Sequence, residues 1–123
     1  MSRFSITMLL VLVAFIASVI ASPVEVERRS NSGQGTWFEV GLGNCGKTSV
    51  DSDHIVALAT SKYASGAHCN KKVTIKANGV TKTATVMDSC PSCASGDLDM
   101  SPSLFKEFAS LDVGVLDITW SFD

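Results

Sequence analysis

No surplus of positive charge runs through this 123-residue chain: Lys and Arg together number 10 against 12 Asp and Glu, a formal net charge of −2. A polycationic face for phosphate backbones is therefore missing, and nucleic acid is excluded as a partner. Length for a second module is missing too, because a domain takes about 100–200 residues. The sequence has no internal repeats or low-complexity tracts. Beyond the first twenty-odd residues it also lacks an amphipathic helical run or a long exposed apolar stretch, which leaves hydrophobin-like and membrane-active roles without support. Zinc lacks its second half-site. Cys90-Pro91-Ser92-Cys93 could form one knuckle, but Cys45 and Cys69 do not form another, and neither His54 nor His68 stands at a ligand spacing. The βαβ context of a redox-active CxxC is equally missing. No metal and no other cofactor is expected.

What is present begins with one apolar run, Ile6 to Ala21, preceded by Arg3 and ending in Val19-Ile20-Ala21-Ser22. Its uninterrupted part is about 15 residues, short of the roughly 20 that cross a bilayer. Small residues stand at its end, as at a signal-peptidase site. Residues 1–21 are expected to be a secretory signal peptide cut after Ala21. Residues 22–29 are charged, without strand or helix periodicity, and close on Arg28-Arg29, the form of a propeptide removed at a dibasic site. Residues 30–123 are then the folded domain, secreted, monomeric and free of the membrane. This stretch keeps 7 lysines against 10 acids, a net of −3 on 94 residues. So small a domain buries only about 60–70% of its unfolded surface and gains from covalent staples. Cys45, Cys69, Cys90 and Cys93 supply them; three connectivities are open, and Cys45–Cys69 with Cys90–Cys93 is the expected one.

After the Gly/Ser/Asn-rich lead from Ser30 to Gly35, short extended segments alternate with turn residues, so the expected class is all-β with one short helix. Thr36–Val40 reads as a first strand. Ile55–Ala59 is apolar throughout, as a strand buried on both faces would be. Lys72–Lys76 and Thr81–Val86 alternate with period two around Asn78-Gly79, a hairpin signal because both residues tolerate positive φ. Their inward set is Val73, Ile75, Ala84 and Val86. Ser101–Ala109 reads as the helix, with Ser101 as N-cap, Pro102 at its first position and Leu104, Phe105 and Phe108 on one face. In the strand from Val115 to Phe122, Leu116, Ile118, Trp120 and Phe122 alternate with polar residues, so Trp120 belongs to the core. Many short strands with Gly-containing crossings suggest a small closed barrel.

The chemistry concentrates in Val86–Ser101, where Asp88, Asp97 and Asp99 fall within twelve residues around a tight cysteine loop. Asp97 reads as a loop or helix-start residue that satisfies exposed N–H groups. Asp88 follows inward-alternating Ala84 and Val86, which aims it at the barrel interior or mouth, where a bare charge is unfavourable. Two carboxyls converging in a groove raise one pKa, the condition for a general acid at a glycosidic oxygen. Asp99 and Asp88 are the candidate catalytic pair.

These motifs carry a resemblance. Gly35-Thr36-Trp37-Phe38, Gly43-Asn44-Cys45-Gly46, Val86-Met87-Asp88-Ser89-Cys90-Pro91-Ser92-Cys93 and Asp97-Leu98-Asp99-Met100-Ser101 stand in order before an aromatic-bearing helix and Ile118-Thr119-Trp120. In that order they resemble the expansins, most nearly the single-domain fungal loosenins, within the rare-lipoprotein-A-like and barwin-like group. The resemblance covers Gly35 to Asp123 and implies a six-stranded double-psi β-barrel. It makes Asp99 the groove aspartate that is the catalytic acid in related endoglucanases, and Asp88 a second groove acid. It also makes Thr36 the threonine facing that acid, and Trp37 and Phe38 the aromatic pair that binds sugar. Phe38 lacks the hydroxyl usual there. Trp37 is open to either role, core residue or sugar platform.

Inverting hydrolysis needs a second carboxylate about 6.5–9.5 Å from the acid. The related endoglucanases carry it at the position of Val40, and strand alternation turns the adjacent Glu39 to the opposite side. The expected function is therefore binding of cell-wall polysaccharide (cellulose, chitin or a related glucan), loosened without substantial cleavage and with modest affinity, since no carbohydrate-binding module follows Trp120. Two alternatives stand beside it. One is a weak glycosidase or lytic transglycosylase with Asp99 as acid, and the other is a secreted protease inhibitor or host-interacting effector.

Overall fold

The computed structural model describes residues 29–123; the expected signal peptide and all of the expected propeptide but Arg29 lie outside the described residues. The elements in chain order are β1 (Asn31–Trp37), β2 (Ile55–Ala59), α1 (Thr60–Tyr63), β3 (Lys72–Ala77), β4 (Val80–Cys90), β5 (Leu98–Met100), α2 (Pro102–Lys106) and β6 (Leu116–Phe122). The six strands close into a barrel in the order β1-β5-β2-β4-β3-β6. Parallel pairing joins β1 to β5 and β2 to β4, and antiparallel pairing closes the rest. Every strand thus has two neighbours, and no strand edge is left open in the barrel wall.

Alternation fills the interior. Val73 and Ile75 from β3, Ala84 and Val86 from β4, and Leu116, Ile118 and Trp120 from β6 are all buried. Leu98 and Met100 bracket Asp99 in the same way, and Val56 and Leu58 bracket Ala57. The whole of β2 is buried, as its unbroken apolar run implied. Trp120 is 2% exposed, and its indole N–H donates to the Gly96 carbonyl at 2.9 Å. The turn at Asn78-Gly79 has φ of 50° and 76°, the mirror-image geometry its dipeptide favours.

Three expected elements have boundaries that differ by more than a residue from the sequence reading, one of them β4, which runs past Val86 to Cys90. The first strand is not Thr36–Val40 but begins at Asn31, within the segment read as an irregular lead. Tertiary pairing overrides local propensity here, since β1 lies between β6 (Gly33↔Ile118) and β5 (Gly35↔Leu98). Its glycines serve close approach: a Cβ on Gly33 would stand 2.2 Å from the Gly96 carbonyl oxygen. The helix is shorter than Ser101–Ala109, and the Ser101 side chain does not cap it. That buried hydroxyl instead accepts the Ile55 N–H at 3.2 Å, tying the end of β5 to the start of β2. Leu104, Phe105 and Phe108 are buried against the barrel as expected.

Both disulfides form as expected, Cys45–Cys69 and Cys90–Cys93. The first fastens the loop between β1 and β2 to the segment preceding β3. The second closes the turn after β4, which Asp97 braces by accepting the Ala94 and Gln34 N–H groups at 2.9 Å each. Asp97 is structural, in the role read for it.

Candidate functional site

Strand register builds a row of four residues across the barrel wall. Thr36 on β1 pairs with Asp99 on β5, Asp99 pairs with Ala57 on β2, and Ala57 pairs with Asp88 on β4. Paired residues share a face, so the hydroxyl of Thr36 and the two carboxyls rise together from the outer surface with the buried methyl of Ala57 between them. Two strand spacings put the Cα atoms of Asp99 and Asp88 roughly 10 Å apart.

Asp88 reaches this row through an irregularity in β4. Val56 pairs with Val86, but the next residue of β2, Ala57, pairs with Asp88, so Met87 is the extra residue of a bulge. Plain alternation from Val86 would have turned Asp88 inward, and the sequence reading accordingly aimed it at the barrel interior or mouth. The added residue reverses that parity, and a half-buried Asp88 stands on the outer face. The signal was present in the sequence: after strict alternation through Ala84 and Val86, a second apolar residue follows at once.

Each acid is held differently. Asp99 Oδ1 accepts the Thr36 hydroxyl at 2.9 Å. Burial pushes the Asp99 carboxyl above its ordinary value of 3.8, and the nearby charge of Asp88 adds to the rise, while the hydrogen bonds from Thr36 and the Met100 backbone only partly offset it. Asp88 Oδ1 accepts two backbone N–H groups, Asn44 at 2.9 Å and Ser89 at 2.8 Å. The Asn44 side chain also reaches the Ser89 hydroxyl at 2.6 Å. These contacts seat the loop after β1 on the bulge, and Gly43 allows the approach, because a Cβ there would stand 2.2 Å from the Met87 carbonyl oxygen. Asn44, Ala57 and Ser89 were not assigned from sequence. Asn44 and Ser89 lay in the motifs Gly43-Asn44-Cys45-Gly46 and Val86–Cys93 without a role of their own, and nothing local ties the first to β4.

The aromatic pair is divided. Trp37 pairs with Met100 on the inward side of β1, packs against the core and donates its indole N–H to the Leu111 carbonyl at 3.0 Å. Its exposed part lines a separate open cleft of about 520 Å³ with Glu39, Asp51, Ser103, Lys106 and Leu111. Phe38 extends the β1–β5 pairing, its N–H donating to the Met100 carbonyl at 3.0 Å, and alternation sets it on the side of Thr36. The histidines stand apart from the row: His68 bonds the Lys62 carbonyl at 2.7 Å and stacks on Phe122, and His54 lies 4.0 Å from Glu107. Among the described residues no cluster of three His, Cys, Asp or Glu is placed to hold a metal ion.

Known proteins share this barrel. The barrel superimposes on an expansin of Clavibacter michiganensis solved in complex with cellohexaose, with a TM-score of 0.71 at 20% identity over 77% of this chain and 50% of that one. At that identity the likeness speaks for the double-psi fold alone. A Streptomyces papain inhibitor superimposes equally well, with a TM-score of 0.71 at 31% identity over 76% of this chain and 94% of that one. Allergen Asp f 7 of Aspergillus fumigatus is 40% identical over 98 residues, 74% of this chain but 36% of that protein. The chain spans half or less of the length of the curated relatives it matches. The model of the Kiwellin-1 family matches residues 18–121, which takes in all of the barrel but the last residue of β6, both disulfides and the acid row; the chain belongs to the Kiwellin-1 family of double-psi β-barrels.

Proposed function

We propose that this protein is secreted and binds cell-wall polysaccharide along the outer-face row, loosening contacts between glycan chains without substantial hydrolysis. The observation that carries the reading is the row Thr36–Asp99–Ala57–Asp88, which sets a donor–acceptor pair and a second carboxylate around a small apolar floor. Glycan chains adhere through hydroxyl hydrogen bonds and stacked apolar faces. Asp88 and Asp99 compete for the hydroxyls, and half-buried Phe38, on the side of Thr36, offers the ring an apolar contact. Asp99, with its raised pKa, holds a proton more readily than an ordinary carboxylate and so can donate as well as accept. Cleavage lacks a water-activating base, since Val40 fills the position where the related endoglucanases carry one. Removal of residues 1–21, and of the remaining leader after Arg29, belongs to the same proposal, and the two disulfides fit an oxidising compartment.

The test is retention on insoluble cellulose and chitin, wild type beside Asp99→Asn, with released sugars measured in the supernatant. The expected result is retention without release, and about tenfold weaker retention for the variant, as loss of a charged hydrogen-bonding group implies. Released sugars that vanish in the variant would make the protein an enzyme, and absence of retention would overturn the reading.

A second reading, inhibition of a papain-like cysteine protease, is favoured by the similarity to the papain inhibitor at 31% identity over 94% of its length. Residual papain activity against increasing amounts of the protein tests it directly.

A further inference from the structure

Residues 41–50 form a hairpin outside the barrel wall. Leu42 and Thr48 make an isolated antiparallel bridge. The Gly43 N–H donates to the Lys47 carbonyl at 3.1 Å and the Ser49 N–H to the Gly41 carbonyl at 2.9 Å. These bonds flank the bridged pair instead of joining it, which makes Leu42 and Thr48 a non-hydrogen-bonded pair. The N–H and C=O of Leu42 therefore point away from Thr48, toward the hairpin's outer edge. The Leu42 side chain is 75% exposed, and Val50, two residues beyond Thr48 on the same face, is 58% exposed.

A lone exposed leucine is ordinary. This one is set apart by its mounting. The hairpin is stapled through Cys45–Cys69, and the Cys45 N–H donates to the Met87 carbonyl at 3.2 Å while the Asn44 N–H holds Asp88. An apolar side chain and an unused main-chain edge are thus presented together in one fixed, extended conformation. Gly43 is packed against the Met87 carbonyl, whereas Gly41 has open space around it, so the main chain is approachable from the Gly41 side of Leu42.

A protease cleft takes up substrate as an added strand, through main-chain hydrogen bonds and pockets for alternate side chains. We propose that the Gly41–Gly43 edge occupies the substrate cleft of a papain-like cysteine protease, with Leu42 seated in an apolar subsite. The assignment rests on the inhibitor reading above. Because the segment is ordered before binding, little conformational freedom is lost in the complex. The cross-strand bonds and the disulfide hold both flanks of the segment, so a peptide bond attacked there would not release its halves.

The test uses the full chain, titrated against papain with a small peptide substrate, as wild type, Leu42→Asp, Leu42→Met and Thr83→Asp, with thermal unfolding of each. Thr83 is exposed on β4, five residues before Asp88, and serves as the control. Wild-type inhibition, about 30-fold or greater weakening by Leu42→Asp as for a central interface residue, and near-wild-type values for Leu42→Met and Thr83→Asp would support the assignment. Inhibition unaltered by Leu42→Asp would overturn it while leaving the inhibitor reading in place, and absence of wild-type inhibition would overturn both. Amide-shift mapping of the wild type with papain needs no variant: shifts centred on residues 40–50 support the hairpin, and shifts centred elsewhere overturn it.

Discussion

The Cys45–Cys69 bridge links residues 24 apart in sequence, whereas Cys90–Cys93 links residues only 3 apart, and the difference sets how much each constrains the unfolded chain. By loop-closure entropy the long bridge contributes about 3.5 kcal/mol and the short one about 2 kcal/mol. A domain of this size is stable by about 5–15 kcal/mol in all, so the long bridge is a large share of it. Each kcal/mol moves the melting temperature of a 60–100-residue domain by about 4–8 °C. Replacing both Cys45 and Cys69 with serine should therefore lower it by roughly 14–28 °C, against about 8–16 °C for the Cys90→Ser/Cys93→Ser pair. Fluorescence of the buried Trp120 reports the transition. The long bridge also anchors the hairpin that donates to Asp88, so its removal should weaken glycan retention as well as stability. Equal losses from the two double variants, or a larger loss from the short bridge, would refute the loop-length argument.

Gly43→Ala places a methyl 2.2 Å from the Met87 carbonyl oxygen, a backbone atom fixed in the barrel wall, so the hairpin must lift; a loss of about 1–3 kcal/mol in denaturant unfolding is expected, and an unchanged midpoint would count against the close approach. For Asp99 the sign runs opposite to that of a salt-bridged carboxylate. Its folded pKa is raised, so stability falls as pH climbs from the ordinary value of 3.8 through the folded value, and the deficit persists above it. Asp99→Asn, which can still accept the Thr36 hydroxyl, should therefore melt higher than wild type at neutral pH, with the difference shrinking as pH falls below 3.8; a variant less stable at neutral pH contradicts this.

Strands with a consistent period were legible without coordinates. The alternation of β3, of the first part of β4 and of β6, the apolar run of β2 and the Asn78-Gly79 turn each point to one local structure, and the barrel keeps them all. What escaped was whatever pairing alone decides. Asn31–Gly35 has the composition of a loop and becomes a strand because β5 and β6 flank it and its glycines let Gly96 approach. Ser101 sits where an N-cap belongs, yet its hydroxyl serves a strand 46 residues away. The three residues of β5 are too few to show a period, so Asp99 stood out only as one of three clustered carboxylates and through the resemblance.

The acid row shows how sequence position and site geometry can part company. Asp88 and Asp99 are separated by a disulfide loop and lie on strands that do not pair with each other; β2 runs between them and contributes a residue with no polar chemistry. Had β4 kept its alternation, Asp88 would share the interior with Val86 and Ile75, where a carboxylate without a partner is strongly unfavourable. Met87 shifts the register by one residue between Val56 and Ala57, and that is enough to carry Asp88 to the outer surface level with Asp99. The same bulge leaves the Met87 carbonyl free to receive the Cys45 N–H, so the feature that turns the acid outward also docks the hairpin that holds it. Site and hairpin are thus one mechanical unit, and a change at Met87 or Gly43 should be felt at Asp88 before it is felt in the core.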